Sequence, residues 1–244
     1  MKLMDNIMNL HADPMGAAIY DYYKNGTSGK LIVMSSMFDD DEIPVPELFR
    51  RYEDMPVLER IALNHAKGKI LDVGAGSGCH SIALNEMGKE STAIDISALS
   101  VKVMKERGLN AHLTDFYDES FKQKFDTILM LMNGTGIIGT LDGMERFFTR
   151  IKQLLNDGGA LIIDSSDLSY LYEEEDGSIV IDLADDYYGQ VDYQMKYKDV
   201  VGESFDWLYV DYETLAFHAE ENGMKCELLA EGEHYDYLAR ITVR

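Results

Sequence analysis

Cysteine is nearly absent: Cys79 and Cys226 are the only two in 244 residues. They stand far apart in unlike contexts, so no disulfide framework is available and a reducing, cytoplasmic setting is expected. Proline is scarce and confined to Pro14, Pro44, Pro46 and Pro56, so the chain beyond them can run in regular elements without breakers. Basic residues are few, 22 Lys+Arg against 44 Asp+Glu, for a formal net charge of −22. A chain this acidic, with no Lys/Arg run, repels phosphate backbones and argues against a nucleic-acid partner. Solubility is the plain reading of the charge. No uninterrupted apolar stretch reaches the ~20 residues of a membrane helix. The opening "MKLMDNIMNLHADP" has acids inside its apolar run, unlike a secretory signal. A membrane partner is not expected, and no metal is called for.

What is present suffices for one large domain with an appendage: 46% of residues are hydrophobic and 10% aromatic. A boundary falls near residue 65. Residues 1–65 hold all the prolines and read as an irregular or helical cap, while 66–244 read as the core. In the core, "KILDVGAG" is a strand, "CHSIALNEMG" a helix stopped by Gly88 and "STAIDIS" a second strand. Ser97 caps a helix over "ALSVKVMKERG". "NAHLTDF" and "FDTILMLM" are the third and fourth strands, and "ALIIDSSD" is the fifth. "LDGMERFFTRIKQLLNDGG" is the clearest helix, with Leu141, Met144, Phe147, Phe148, Ile151, Leu154 and Leu155 at helical spacing. Apolar strands alternating with helices predict a parallel sheet covered on both faces. Residues 168–210 then read as an acidic loop and a hairpin inserted in the core. A last helix, "YETLAFHAEENG", precedes two strands around "EGEH", antiparallel to each other.

The first strand ends in Gly74-Ala75-Gly76-Ser77-Gly78. Its third glycine comes one residue early for the dinucleotide fingerprint, and no lysine follows as a triphosphate loop requires. Asp95 closes the next strand about 20 residues on, where a carboxylate accepts hydrogen bonds from both ribose hydroxyls. A glycine loop with a ribose acid and no phosphate partner points to a nucleoside cofactor without a pyrophosphate.

Residues 69–167 resemble the class I S-adenosylmethionine-dependent methyltransferases. The family's first motif, an acid followed by x-G-x-G-x-G, appears as Asp72 through Gly78; its second acid matches Asp95, and its third landmark matches Asp115-Phe116. The fourth-strand region matches residues 126–134, "DTILMLMNG", and the fifth matches "GGALIIDSSD". The resemblance implies a Rossmann-like, seven-stranded, mostly parallel sheet with an antiparallel ending, flanked by helices under a helical N-terminal cap. It implies S-adenosyl-L-methionine as cofactor, released as S-adenosyl-L-homocysteine. It assigns Asp72, Gly74, Ala75, Gly76, Gly78, Asp95, Ile96, Asp115, Phe116 and Asn133 to the cofactor site. The wider chain looks like an uncharacterised bacterial branch of small-molecule type.

Catalytic groups are not evident. His80 opens the helix after the glycine loop and is either a neutral base facing the cleft or a packing residue. Asn133 follows strand four and orients an acceptor, touches the cofactor or forms a turn. The "NGTG" there lacks the prolines and aromatic of [DN]-P-P-[YF], which with the charge counts against base methylation. Asp126 opens strand four, away from the crevice, and reads as structural. Tyr20 and Arg50 of the cap are candidate acceptor contacts if that segment closes as a lid. The expectation is methyl transfer to an unidentified small molecule. A non-catalytic S-adenosylmethionine-binding protein or an NAD(P)-dependent oxidoreductase is the alternative.

Overall fold

A computed structural model describes residues 7–174, 176–181 and 186–244. In chain order these residues form α1 (Pro14–Asn25), β1 (Leu31–Met34), β2 (Asp41–Ile43), α2 (Val57–His65), β3 (Ile70–Val73), α3 (Cys79–Glu86) and β4 (Ser91–Asp95). There follow α4 (Ala98–Glu106), β5 (Ala111–Leu113), β6 (Phe125–Met130), α5 (Met144–Leu154), β7 (Leu155–Ser166) and β8 (Gln190–Tyr197). The chain closes with β9 (Val200–Val201), β10 (Phe205–Leu208), α6 (Tyr212–Glu221), β11 (Met224–Glu231) and β12 (Asp236–Val243).

The main sheet has the order β11-β12-β7-β6-β3-β4-β5. Strands β3 to β7 pair in parallel, and β12 runs antiparallel to both β7 and β11. The order reverses between β3 and β6, which opens a crevice beyond their carboxyl ends. The amphipathic α5 buries Met144, Phe147, Phe148, Ile151 and Leu154 against the sheet, each worth ~1.5–3 kcal/mol in removed apolar surface. Asp126 is structural: it accepts from Lys69 N at 2.7 Å and from Asn156 Nδ2 at 2.9 Å.

Three details differ from the sequence expectation. The helix expected over 141–159 ends at Leu154, and Leu155 already starts β7. Gly158 takes φ +75, so the "NDGG" segment bends within the strand instead of extending the helix. The third strand is shorter, Ala111–Leu113, and its pairing ends with the Thr114 N–H donating to Asp95 O. The cap is more than helical: β1 and β2 belong to a second sheet, β10-β8-β1-β2 with β9 on β8. Leu31 pairs with Tyr197 and Phe205 with Tyr193, so cap and inserted hairpin share one ladder. Within the acidic loop, residues 175 and 182–185 lie outside the described residues. No helix among the described residues is long and apolar enough to cross a membrane.

Candidate active site

The glycine loop is built by conformation. Gly74, Gly76 and Gly78 take φ of +66, +56 and +83, a left-handed region that suits residues without a Cβ. A Cβ on Gly78 would stand 2.3 Å from Leu109 Cδ1, whereas Gly76 has only Ile19 Cδ1 of α1 at 3.8 Å. The two glycines therefore act differently: Gly78 allows close packing below, and Gly76 keeps the backbone open above.

Asp95 organises this wall. One carboxylate oxygen accepts from Gly76 N and the other from Ser97 N, both at 2.8 Å. Burial pushes its pKa up to about 6, against the lowering effect of those two N–H groups. Ser97 Oγ donates at 2.5 Å to Asp13, the buried cap of α1. The first helix is thus anchored to Asp95 through Ser97. Ile96 follows in the same turn, its carbonyl accepting from Met8 N at 3.1 Å.

Asp72 lies beneath the loop, 3% exposed, and accepts from Ser81 Oγ at 2.7 Å. It braces α3 under the loop, with its pKa raised by burial. Ala75 is buried within the loop. Asp115 stands at the end of β5 and accepts from Tyr117 N at 2.9 Å. Phe116 turns its ring into the core, 3% exposed against Phe147, so only its backbone is left to face the crevice.

Across the crevice, Met132 and Asn133 both take positive φ, 66 and 59. Two consecutive non-glycine residues in this region mark a loop held under strain by its surroundings. The holder is Asp164 at the end of β7, which accepts from Met132 N at 3.1 Å and Gly134 N at 2.9 Å. Burial pushes its pKa up to about 6 as well. Asn133 is committed to structure, donating to Leu208 O at 3.2 Å and accepting from Ser165 Oγ at 3.1 Å. Gly136 passes under Trp207 so closely that a Cβ would sit 1.9 Å from Cε2.

The structure gives three of the candidates structural partners. His80 does not face the cleft: it is 5% exposed, with Nε2 2.9 Å from Glu59 Oε2. Arg50 is no exposed lid contact: its guanidinium meets Glu59 at 2.5 and 3.0 Å, the two side chains 9% and 8% exposed. Arg50, Glu59 and His80 thus tie the cap, α2 and α3 together. Burial raises the Glu59 pKa, but its bonds to His80 and Arg50 prevail and hold it below the usual carboxylate value. Tyr20 points along α4, where its hydroxyl accepts from Lys102 Nζ at 3.1 Å. Asp164 was not singled out as a site residue in the sequence. The signal was there, because in "LIID" the acid follows the last β7 residue paired with β6, much as the acid of "TAID" closes β4.

The comparisons with known proteins agree with this geometry. A family model described as a methyltransferase domain matches residues 64–220. A crystal structure of a SAM-dependent methyltransferase from Bacteroides fragilis, in complex with S-adenosyl-L-homocysteine, is 57% identical and superposes with a TM-score of 0.92 over 97% of each chain. An uncharacterized methyltransferase of Staphylococcus carnosus (strain TM300) is 28% identical, covering 64% of this chain and 77% of its own. A cypemycin N-terminal methyltransferase from Streptomyces sp is 29% identical over 40% of this chain and 42% of its own. With a family model over residues 64–220 and its glycine loop and sheet order, the chain belongs to the family of S-adenosylmethionine-dependent methyltransferases.

Proposed function

We propose that this methyltransferase acts on a small-molecule acceptor held in the crevice beyond β3 and β6, with S-adenosylmethionine as the donor. The observation that carries the reading is Asp95, fixed by Gly76 N and Ser97 N at the wall of an open glycine loop. Its oxygens retain lone pairs for two ribose hydroxyls. Gly74 and Gly76 let the backbone approach the donor, Asp115 and the backbone of Phe116 bound its base, and the strained loop at Met132–Asn133 closes the far side. Bound there, the cofactor supplies a methyl group already activated by a sulfonium. The chain's own contribution is to hold the acceptor in line and exclude water, an effect worth ~7–11 kcal/mol at best.

Two features support a small acceptor. The net charge of −22 opposes phosphate polymers. The second sheet, to which the cap contributes β1 and β2, overhangs the crevice through Trp207 on Gly136. The cap then acts as a standing roof of the acceptor site. The two free cysteines fit a cytoplasmic setting. Calorimetric titration of the purified protein with S-adenosyl-L-homocysteine tests the reading. A dissociation constant in the micromolar range, ~−8 kcal/mol, is expected; absence of binding overturns it.

A further inference from the structure

The second sheet has one apolar face. Cross-strand pairing puts Tyr193, Met195 and Tyr197 of β8 on the same side as Leu31 and Val33 of β1 and Phe205 of β10. One end of this face, Leu31 with Tyr197, is sealed by Ala18 and Ile19 of α1. The other end, with Val33, Tyr193, Met195, Phe205 and Trp207, is only half-buried. This end lies over the carboxyl edge of the main sheet: Trp207 covers Gly136, and Tyr193 Oη is 3.1 Å from Tyr209 Oη. Tyr170 stacks on Tyr235 at the rim, their ring centroids 4.7 Å apart.

Carboxylates act on this roof: Asp164 raises the pKa of Tyr209 and Asp41 that of Tyr193, each adding to the larger effect of burial. Asp167 accepts from Tyr188 Oη at 2.8 Å beside them. Arg50 and His80 are both turned to Glu59. Resting on the methyl-transfer reading above, we propose that the acceptor is an organic amine, bound as its cation under the aromatic roof of the second sheet.

Physical chemistry favours this occupant over a neutral alcohol or an anion. Aromatic faces and carboxylates both attract an ammonium group, and a chain of net charge −22 draws cations towards it. Proton affinities agree. Burial raises Tyr193 and Tyr209 above the usual phenol range, so both keep their protons. Asp164, with its pKa pushed up to about 6 by burial, remains a carboxylate at pH 7.5 and holds the loop at Met132 and Gly134. An alkylammonium gives up a proton near pH ~10, whereas an alcohol resembles water, near ~16. The bound ammonium first gives up one N–H proton to water, and the nitrogen lone pair so freed then forms the N–CH3 bond. The S–CH3 bond breaks with its electron pair retained by sulfur.

Trp207 is the chain's single tryptophan, so its fluorescence reports on the roof. The probes are benzylamine and benzyl alcohol, alike in skeleton and different in charge at pH 7.5, titrated into protein loaded with S-adenosyl-L-homocysteine. Saturable quenching by benzylamine at a concentration at least tenfold lower than by benzyl alcohol is expected. Tyr193→Leu should cut that preference to within threefold, with calorimetric affinity for S-adenosyl-L-homocysteine retained. Equal affinity for the two probes, or no saturable quench by either, overturns the proposal while leaving the cofactor reading intact. Failure to load S-adenosyl-L-homocysteine overturns both.

Discussion

Replacing Asp95 tests the cofactor wall most directly. The carboxylate holds two backbone N–H groups, Gly76 and Ser97, at 2.8 Å each. It is also the acceptor for two ribose hydroxyls in the proposed complex. Hydrogen bonds to a charged group contribute ~1.5–3 kcal/mol each. Asp95→Ala removes both hydroxyl partners and frees the loop they rest on, so a loss of about 3 kcal/mol, ~100-fold in affinity, is a lower estimate. Asp95→Asn is not the mild variant it is in isolation. One side of its amide must present NH2 to Gly76 N–H or Ser97 N–H, donor against donor. Asparagine should therefore also lose at least ~10-fold, about 1.4 kcal/mol.

The same group sets a pH dependence. Its pKa is pushed up to about 6 in the free protein, first by burial. The ionised carboxylate is the form that accepts from both hydroxyls, so the complex favours deprotonation. Affinity for S-adenosyl-L-homocysteine should rise about tenfold per pH unit up to about 6 and level off above it. In the free protein the sign is opposite for stability: a raised carboxyl pKa costs stability as pH rises from its unfolded value towards 6. Calorimetry from pH 5 to 8 reads the affinity. Asp164 titrates in the same range, and Asp95→Asn separates the two, since the slope should vanish in that variant if it belongs to Asp95. Variants that bind within threefold of the parent at pH 7.5, or a parent affinity unchanged between pH 5 and 7, would refute the assignment.

Other substitutions follow from the same contacts. Gly76→Val, forced to φ +56 with its side chain over the loop, should abolish binding of S-adenosyl-L-homocysteine by calorimetry. Glu59→Ala strands Arg50 and His80 in a buried site and should cost ~3–5 kcal/mol, lowering the melting temperature by roughly 6–20 °C; a shift under 2 °C would show that the ion pair is dispensable. Tyr20→Ala, against Lys102 on α4, should leave turnover within twofold once an acceptor is known. Binding to RNA or DNA should be undetectable by filter retention at 50 mM salt, where phosphate contacts are strongest.

Legibility from sequence followed the range of each interaction. Strands β3, β4 and β6 were readable because they are short apolar runs buried on both faces, and the glycine loop because its backbone admits few alternatives to glycine. Asp95 was singled out by its place at the end of an apolar strand. Asp164 carries the same local signature, but its meaning depends on Met132 and Asn133, whose left-handed backbone is visible only in three dimensions. The partners of Arg50 and His80 were not readable for a related reason. Their common partner, Glu59, sits in the first turn of α2, where an acid is the ordinary choice for a helix dipole, and nothing local marks it as the centre of a buried triad. The second sheet was the largest omission. Its strands β1 and β8 are joined across more than half the chain, Leu31 to Tyr197, so neither pattern alone completes a sheet. "SFDWLYV" shows alternating aromatics that announce a face without saying what it covers. Only the pairing with β8, and the contact of Trp207 with Gly136, places that face above the carboxyl edge of the main sheet.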